Sequence, residues 1–199
     1  EDFLKYIVKA VLERCPEEME FCDKFISNGL IDKLNKLLDS EFVRLDHKDA
    51  IDLLKKADRK WEFEPEYGGD LAKEHEKYIT EYFNGPVFVK NWPKDIKSYY
   101  MKLNPDGKTV AAVDLEVPIA GEIMGGSQRE EDYDKLVKRM KEMGIATEPL
   151  YWYLELRKYG TDIHSGFGLG FERLLMYITG MENIRDVIPY PRTPNNCDF

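Results

Sequence analysis

The sequence predicts one α+β domain, or part of one, in which helices flank an antiparallel sheet. Three observations carry the prediction. Apolar residues recur at helical spacing through residues 1–60. Residues 109–115 (Thr-Val-Ala-Ala-Val-Asp-Leu) read as a strand behind the strong turn signal Asn104-Pro105-Asp106-Gly107. Finally, Gly166, Gly168 and Gly170 stand at alternate positions and lead into an apolar run that carries a single arginine, Arg173.

Taken in order, Phe3, Ile7, Ala10 and Val11 mark one face of a first helix, which Pro16 closes. Met19, Phe21, Cys22, Phe25 and Ile26 form a second apolar series ending near Asn28-Gly29, and Ile31, Leu34, Leu37 and Leu38 continue it. Asp46 can cap a helix bearing Ile51, Leu54 and Ala57. Residues 1–60 are thus expected to be a helical segment and 61–199 the sheet-containing part. Within the latter, Asp70 or its neighbour starts a helix through Leu71, His75, Tyr78 and Ile79, with His75 between two glutamates on a solvated face. Residues 87–89 and 98–101 read as short strands, the second of them pairing with 109–115 as a hairpin. Ser127-Gln128-Arg129-Glu130 has the form of a capping box opening a helix with Tyr133, Leu136, Val137 and Met140 on one face. Thr147-Glu148-Pro149 starts an aromatic-rich helix, residues 166–170 form a strand, and Leu174, Leu175 and Ile178 lie on a buried helix that Gly180 ends.

Composition sets the outer bounds. With 43% hydrophobic and 13% aromatic residues the chain is globular, not disordered. No apolar run reaches membrane-spanning length. Cys15, Cys22 and Cys197 have no metal-ligand spacing and are odd in number, so a reducing cytoplasm is the expected setting. A net charge of −9 excludes a generic nucleic-acid surface while leaving room for contact with one structured RNA. The chain opens at Glu1, inside a helical pattern, as a fragment or a processed chain would.

Chemistry is concentrated in the sheet-containing part. Asp114 and Glu122 are acids on candidate neighbouring strands, and a carboxylate among Val, Ala and Leu needs a partner. A Mg²⁺ ion carrying phosphates would serve, and so would a lysine or arginine across the sheet. Arg129 presents a planar fork that suits a carboxylate or an amide oxygen, or else a surface ion pair. Arg173 projects beside a glycine-cleared surface, well placed for an anion, and His164 precedes that surface as a cleft or loop residue. A P-loop and a nucleophile elbow are both absent. What remains is electrostatic: a nucleotide held for attack by a carboxylate.

Residues 166–174, with Gly168, Gly170, Glu172 and Arg173, resemble motif 3 of class II aminoacyl-tRNA synthetases. The surrounding chain is similar to the asparaginyl-tRNA synthetases of the bacterial type, in the aspartyl/asparaginyl/lysyl subgroup. Carrying that similarity are Gly69-Asp70-Leu71 with Glu74-His75-Glu76, Lys90-Asn91-Trp92-Pro93-Lys94-Asp95, Gly121-Glu122 with Gly126-Ser127-Gln128-Arg129-Glu130, and Asn183-Ile184-Arg185-Asp186. The resemblance implies an antiparallel sheet of six or seven strands, ATP-dependent activation of asparagine to an adenylate, and transfer to tRNA(Asn) by a cytoplasmic homodimer. By position it implies that Arg173 contacts the ATP γ-phosphate and, with Glu122, acts in catalysis. Asp114 and Glu122 would hold Mg²⁺ and the ATP phosphates, and Gly168 and Gly170 would line the nucleotide site. Arg129 would grip the amino-acid side chain, with His164 near it. An aspartyl-tRNA synthetase or an asparagine synthetase paralogue uses the same fold, and a non-catalytic nucleotide-binding module is the reading from another class.

In the resembled family, motifs 1 and 2 and an anticodon-binding OB-fold precede the matched region, and this chain contains none of them. It corresponds to the C-terminal portion of a catalytic domain. The purified 199-residue chain is therefore expected not to charge tRNA; measurable aminoacylation of tRNA by it would refute this.

Overall fold

The computed structural model describes residues 1–197. Helices α1 (Asp2–Arg14), α2 (Pro16–Phe25) and α3 (Leu30–Asp39) follow the N-terminal periodicity. The buried stripe of α1 is Leu4 and Val8, one residue on from the expected Phe3 and Ile7, and Phe3 is exposed. Pro16 closes α1 and also opens α2 in the first turn, where a missing N–H leaves no bond unmade.

The segment is not wholly helical. Strand β1 (Val43–Asp46) lies inside it, a four-residue run whose charged Arg44 and Asp46 hide any alternation. Helix α4 (His47–Lys56) follows directly. Asp46 occupies its N-cap position, but the carboxylate instead meets Lys90 Nζ at 2.8 Å and accepts from Asn91 Nδ2 at 3.1 Å.

Helix α5 (Lys73–Tyr82) begins after Ala72, two residues beyond the expected Asp70. The solvated face expected for His75 is a buried one: the residue is 1% exposed and edge-on to Trp61. Its Nδ1 accepts the Ala72 N–H at 3.0 Å, and its Nε2 donates to the Phe63 carbonyl at 2.8 Å. Both ring nitrogens being satisfied by backbone, the imidazole is stable in the core despite its charged sequence neighbours.

Strands β2 (Val87–Pro93), β3 (Thr109–Val117), β4 (Gly121–Gln128) and β5 (Ser165–Leu169) complete a five-stranded sheet of order β1-β2-β3-β4-β5. The β2–β3, β3–β4 and β4–β5 pairs are antiparallel as expected, while β1 runs parallel to β2. Residues 98–101 are not a strand. They form a turn whose Met101 bridges to Arg129, and Leu103 bridges to Val110 across the Asn104–Gly107 turn. The capping box at Ser127 is also absent, because Ser127 and Gln128 are still paired to β5. Helix α6 (Tyr133–Glu142) is capped by Asp132, whose carboxylate accepts the Lys135 N–H at 3.0 Å. A 3₁₀ turn, Glu148–Leu150, leads into α7 (Tyr151–Lys158), and α8 (Phe171–Thr179) ends at left-handed Gly180.

One face of the sheet packs against α1, α2, α3 and α8 through Leu4, Leu34, Leu115, Ile123, Leu174 and Ile178. The other face, at its β1–β2 end, packs against α4 and α5 through Ile51, Leu54, Ile79, Val87, Val89 and Ala112. Towards β4 and β5 this second face becomes polar and glycine-rich. Among the described residues no helix is long and apolar enough to cross a membrane.

The β4–β5 pair closes tightly on the helical side. A Cβ on Gly126 would stand 2.8 Å from Phe167 Cβ and 2.9 Å from the Gly166 carbonyl oxygen. Gly126→Ala should therefore lower stability by about 1–3 kcal/mol, since rigid strand atoms must shift to admit the methyl; urea unfolding of the variant against the parent chain measures it.

Candidate active site

The polar part of the second face is organised by one irregularity in β4. Glu122 pairs with Glu116, and the next pair along is Met124 with Leu115, so the ladder skips Ile123. Glu122 and Gly125 are three residues apart, and strict alternation would place them on opposite faces. The single-residue bulge puts them on the same one. Gly125 then lies opposite Asp114, where a Cβ would stand 3.1 Å from Asp114 Oδ1 and 3.3 Å from Glu122 Oε1. Asp114 and Glu122 are thus brought together over a bare glycine, as expected of two acids on neighbouring strands.

Glu116, two residues along β3, shares that face. It is 2% exposed, and its Oε2 has no hydrogen-bond partner. Helix α5 adds Glu76, whose Oε2 accepts the Glu122 N–H at 3.3 Å. Burial raises the Asp114 carboxyl above its ordinary range, although the Lys97 ammonium opposes the rise. Glu116 is pushed well above 4.5 by burial first, then by the neighbouring charges of Glu76, Glu122 and Asp114. Burial likewise raises Glu76.

Cations surround the acids. Lys97 Nζ lies 2.6 Å from Asp114 Oδ2 and 3.8 Å above the Trp92 ring centre, realising the cross-sheet lysine pairing that the sequence left open. Arg173, on the first turn of α8, donates from Nη1 to the Glu122 carbonyl at 2.6 Å. Arg129 follows β4 directly and lies further along the same face. Its Nη1 donates to Ser127 Oγ at 3.3 Å, and its guanidinium sits 4.7 Å from the Tyr100 ring centre. A Cβ on Gly166 would come within 2.9 Å of Arg129 Nη2, so this glycine gives the guanidinium its bed on β5.

Gly168 pairs with Gly125 and would have open space at its Cβ; it is part of the cleared floor. Gly170 donates its N–H to the Ile123 carbonyl at 2.9 Å and starts α8. His164 is exposed, and its ring meets the Asp162 carbonyl at 2.9 Å. The part of His164 tied to the site is its backbone carbonyl, which accepts the Arg129 N–H at 3.0 Å. The residues not singled out from sequence are Lys97, Glu116 and Glu76. Alternation along β3 from Asp114 would have found Glu116, whereas nothing local in sequence announces the other two. A separate cavity of about 250 Å³, lined by Leu30, Leu34, Leu37, Ile119 and Tyr177, contains none of the candidate site residues.

The raised carboxyls have a consequence for pH dependence. A folded-state pKa above the ordinary value means that the folded chain holds a proton the unfolded chain releases, so stability falls as pH rises from 4.5 through the folded value. Glu116→Gln, which cannot ionise, should narrow the loss of stability between acidic and mildly alkaline metal-free buffer. Denaturant midpoints at both pH values test this, and an unchanged difference would refute it.

A family profile described as "tRNA synthetases class II (D, K and N)" matches residues 1–194. The asparagine–tRNA ligase of Acholeplasma laidlawii is 60% identical over the whole of this chain and 43% of its own length, and that of Acetivibrio thermocellus is 58% identical with the same coverage. Among solved structures, the asparaginyl-tRNA synthetase of Pyrococcus horikoshii complexed with asparaginyl-adenylate superposes with a TM-score of 0.84 at 40% identity, over 97% of this chain and 43% of that one. An aspartyl-tRNA synthetase from Entamoeba histolytica reaches the same TM-score at 27% identity, over 98% of this chain and 40% of that one. The chain thus spans somewhat under half the length of the curated relatives it matches. Its α+β fold, its match to the family profile over residues 1–194 and its identity to the relatives above all lead to one assignment: the chain belongs to the class II tRNA synthetases of the aspartate, lysine and asparagine group.

Proposed function

We propose that the protein to which this chain belongs is an asparagine–tRNA ligase, which activates asparagine with ATP and transfers it to tRNA(Asn). The observation that carries the reading is the shared face on which Asp114, Glu122, Arg129 and Arg173 meet over glycine-bared strands. Identity of 53–60% to asparagine–tRNA ligases, against 27% to the aspartyl enzyme above, supports asparagine as the amino acid. A module retained only for binding would have no use for so many partly buried charges.

Mg²⁺ fits the donor set. Asp114 Oδ1 and Glu122 Oε1 are hard oxygens bordering one space, and no group of three or more His, Cys, Asp or Glu among the described residues could hold an ion by itself. Mg²⁺ characteristically takes one or two carboxylates and completes its shell with substrate phosphates and water. When bound it would neutralise phosphate charge during attack on the α-phosphate. The chain's own groups do the rest. Gly125 and Gly168 admit a flat ligand close to the sheet. Arg173 keeps a guanidinium edge for phosphate while Nη1 holds the Glu122 carbonyl. Arg129, braced by Ser127, Gly166 and Tyr100, is placed to orient the amino-acid side chain, with His164 beside it fixing the Arg129 backbone. Rate enhancement then comes from positioning and from fixed charge. A cytoplasmic setting and a homodimer complete the proposal.

The full-length protein should catalyse ATP–pyrophosphate exchange that depends on asparagine and on Mg²⁺. Glu122→Ala and Arg173→Ala should each reduce it by about 100-fold or more, the scale for losing a charge-stabilising group. Exchange driven by aspartate and not by asparagine would overturn the amino-acid assignment, and Mg·ATP binding unaffected by either variant would overturn catalysis at this face.

A further inference from the structure

Both backbone polar groups of Glu122 are held by charged side chains from helices. Pairing of β4 with β5 stops at Met124, so no strand is available to complete the bonding of Glu122 on that side. Its N–H donates to Glu76 Oε2 on α5 at 3.3 Å, and its carbonyl accepts Arg173 Nη1 on α8 at 2.6 Å. Gly121, at φ +69°, supplies the approach. A side chain there would be strained, and its Cβ would press on Glu76 Oε2. Helix α5 is itself anchored against this movement by Ile79, wholly buried, and by the doubly bonded His75 ring one residue before Glu76. A bulge is free to flex where its ladder bonds are missing, and here the missing bonds are supplied from outside the sheet.

We propose that Glu76 is a positioning residue of this site: acting as a hydrogen-bond acceptor, its carboxylate fixes the Gly121–Glu122 peptide and thereby aims the Glu122 carboxylate at Asp114 across Gly125. The inference rests on the reading of Asp114 and Glu122 as the pair that holds Mg·ATP. It assigns Glu76 no contact with substrate. What matters is the acceptor oxygen and not the negative charge, which separates this role from direct electrostatic participation, because Gln retains an acceptor oxygen and Ala does not.

The test uses the full-length protein with Glu76→Ala and Glu76→Gln. Hydrogen exchange over residues 119–124, in the absence of ATP, should be faster in Glu76→Ala and return towards the parent rate in Glu76→Gln. The Mg²⁺ concentration giving half-maximal ATP–pyrophosphate exchange should rise about 10-fold in Glu76→Ala, the scale for losing an outer-shell partner. The KM for asparagine should move by less than about 2-fold, a split that general loosening of the fold would not produce. Glu76→Gln should recover most of the Mg²⁺ response. Unchanged exchange at Glu122 in Glu76→Ala overturns the proposal, as does a Glu76→Gln variant as impaired as Glu76→Ala. If Glu76→Ala does not fold, Glu76→Asp, which withdraws the oxygen by one methylene, takes its place with the same expectations, and parent-like behaviour of that variant overturns the proposal. Absence of Mg²⁺-dependent ATP chemistry in the parent protein would instead count against the functional reading, and the hydrogen-exchange comparison would still decide the role of Glu76.

Discussion

Four carboxylates, Glu76, Asp114, Glu116 and Glu122, crowd one face of the sheet where β3 and β4 pair, and their mutual repulsion is the constraint around which the neighbouring structure is arranged. Like charges in a poorly hydrated setting persist only if cations or protons compensate them. Lys97 reaches Asp114 from the segment after β2, and Arg173 approaches from α8. Glu116, with one oxygen unpartnered, is the group whose proton would relieve the strain most directly. The excess of negative charge gives the face a standing demand for positive charge, and a divalent ion arriving with a nucleotide would meet it.

The Arg129 end of the face obeys a different rule. There the chain removes side chains instead of adding charge. Gly166 leaves a bed on β5 for the Arg129 guanidinium, Tyr100 lies against it, and Ser127 fixes one edge. The Tyr100 backbone is in turn tied to the segment just after β4, since its carbonyl accepts the Glu130 N–H at 2.9 Å. A guanidinium held on three sides has little further freedom to lose on meeting a ligand, which is what preorganisation means physically.

Much of this was legible in the sequence, and the failures share a cause. The N-terminal helices, the turn at Asn104–Gly107, the glycine strand and the Gly180 cap rest on local signals, and the fold contains each of them, with the buried stripe of α1 one residue on. Asp114, Glu122, Arg129 and Arg173 stood out because unusual residue types occupied unusual contexts, and family resemblance ordered them. What was missed depends on register or on contact between distant segments. Strand β1 is too short and too charged to show alternation, and His75 looks solvated until its two backbone partners are seen. Ser127 to Glu130 satisfies the letter of a capping box while its first two residues still belong to a strand. Lys97 and Glu76 carry no sequence mark of their own, because their significance lies wholly in which atoms of Asp114 and Glu122 they meet.

The skipped position at Ile123 also constrains how this gene can change. Facing in a strand is a two-valued property, and the bulge lets two consecutive residues turn the same way: Ile123 and Met124 both reach the helical core. An in-frame loss of the Ile123 codon would remove the bulge and restore regular alternation, leaving Glu122 and Gly125 two residues apart and still on one face. What would be lost lies on the opposite side: the buried Ile123 side chain and the carbonyl that receives the Gly170 N–H at the start of α8. The extra residue therefore answers to the apolar core and the seating of α8, and the spacing of the acids does not depend on it.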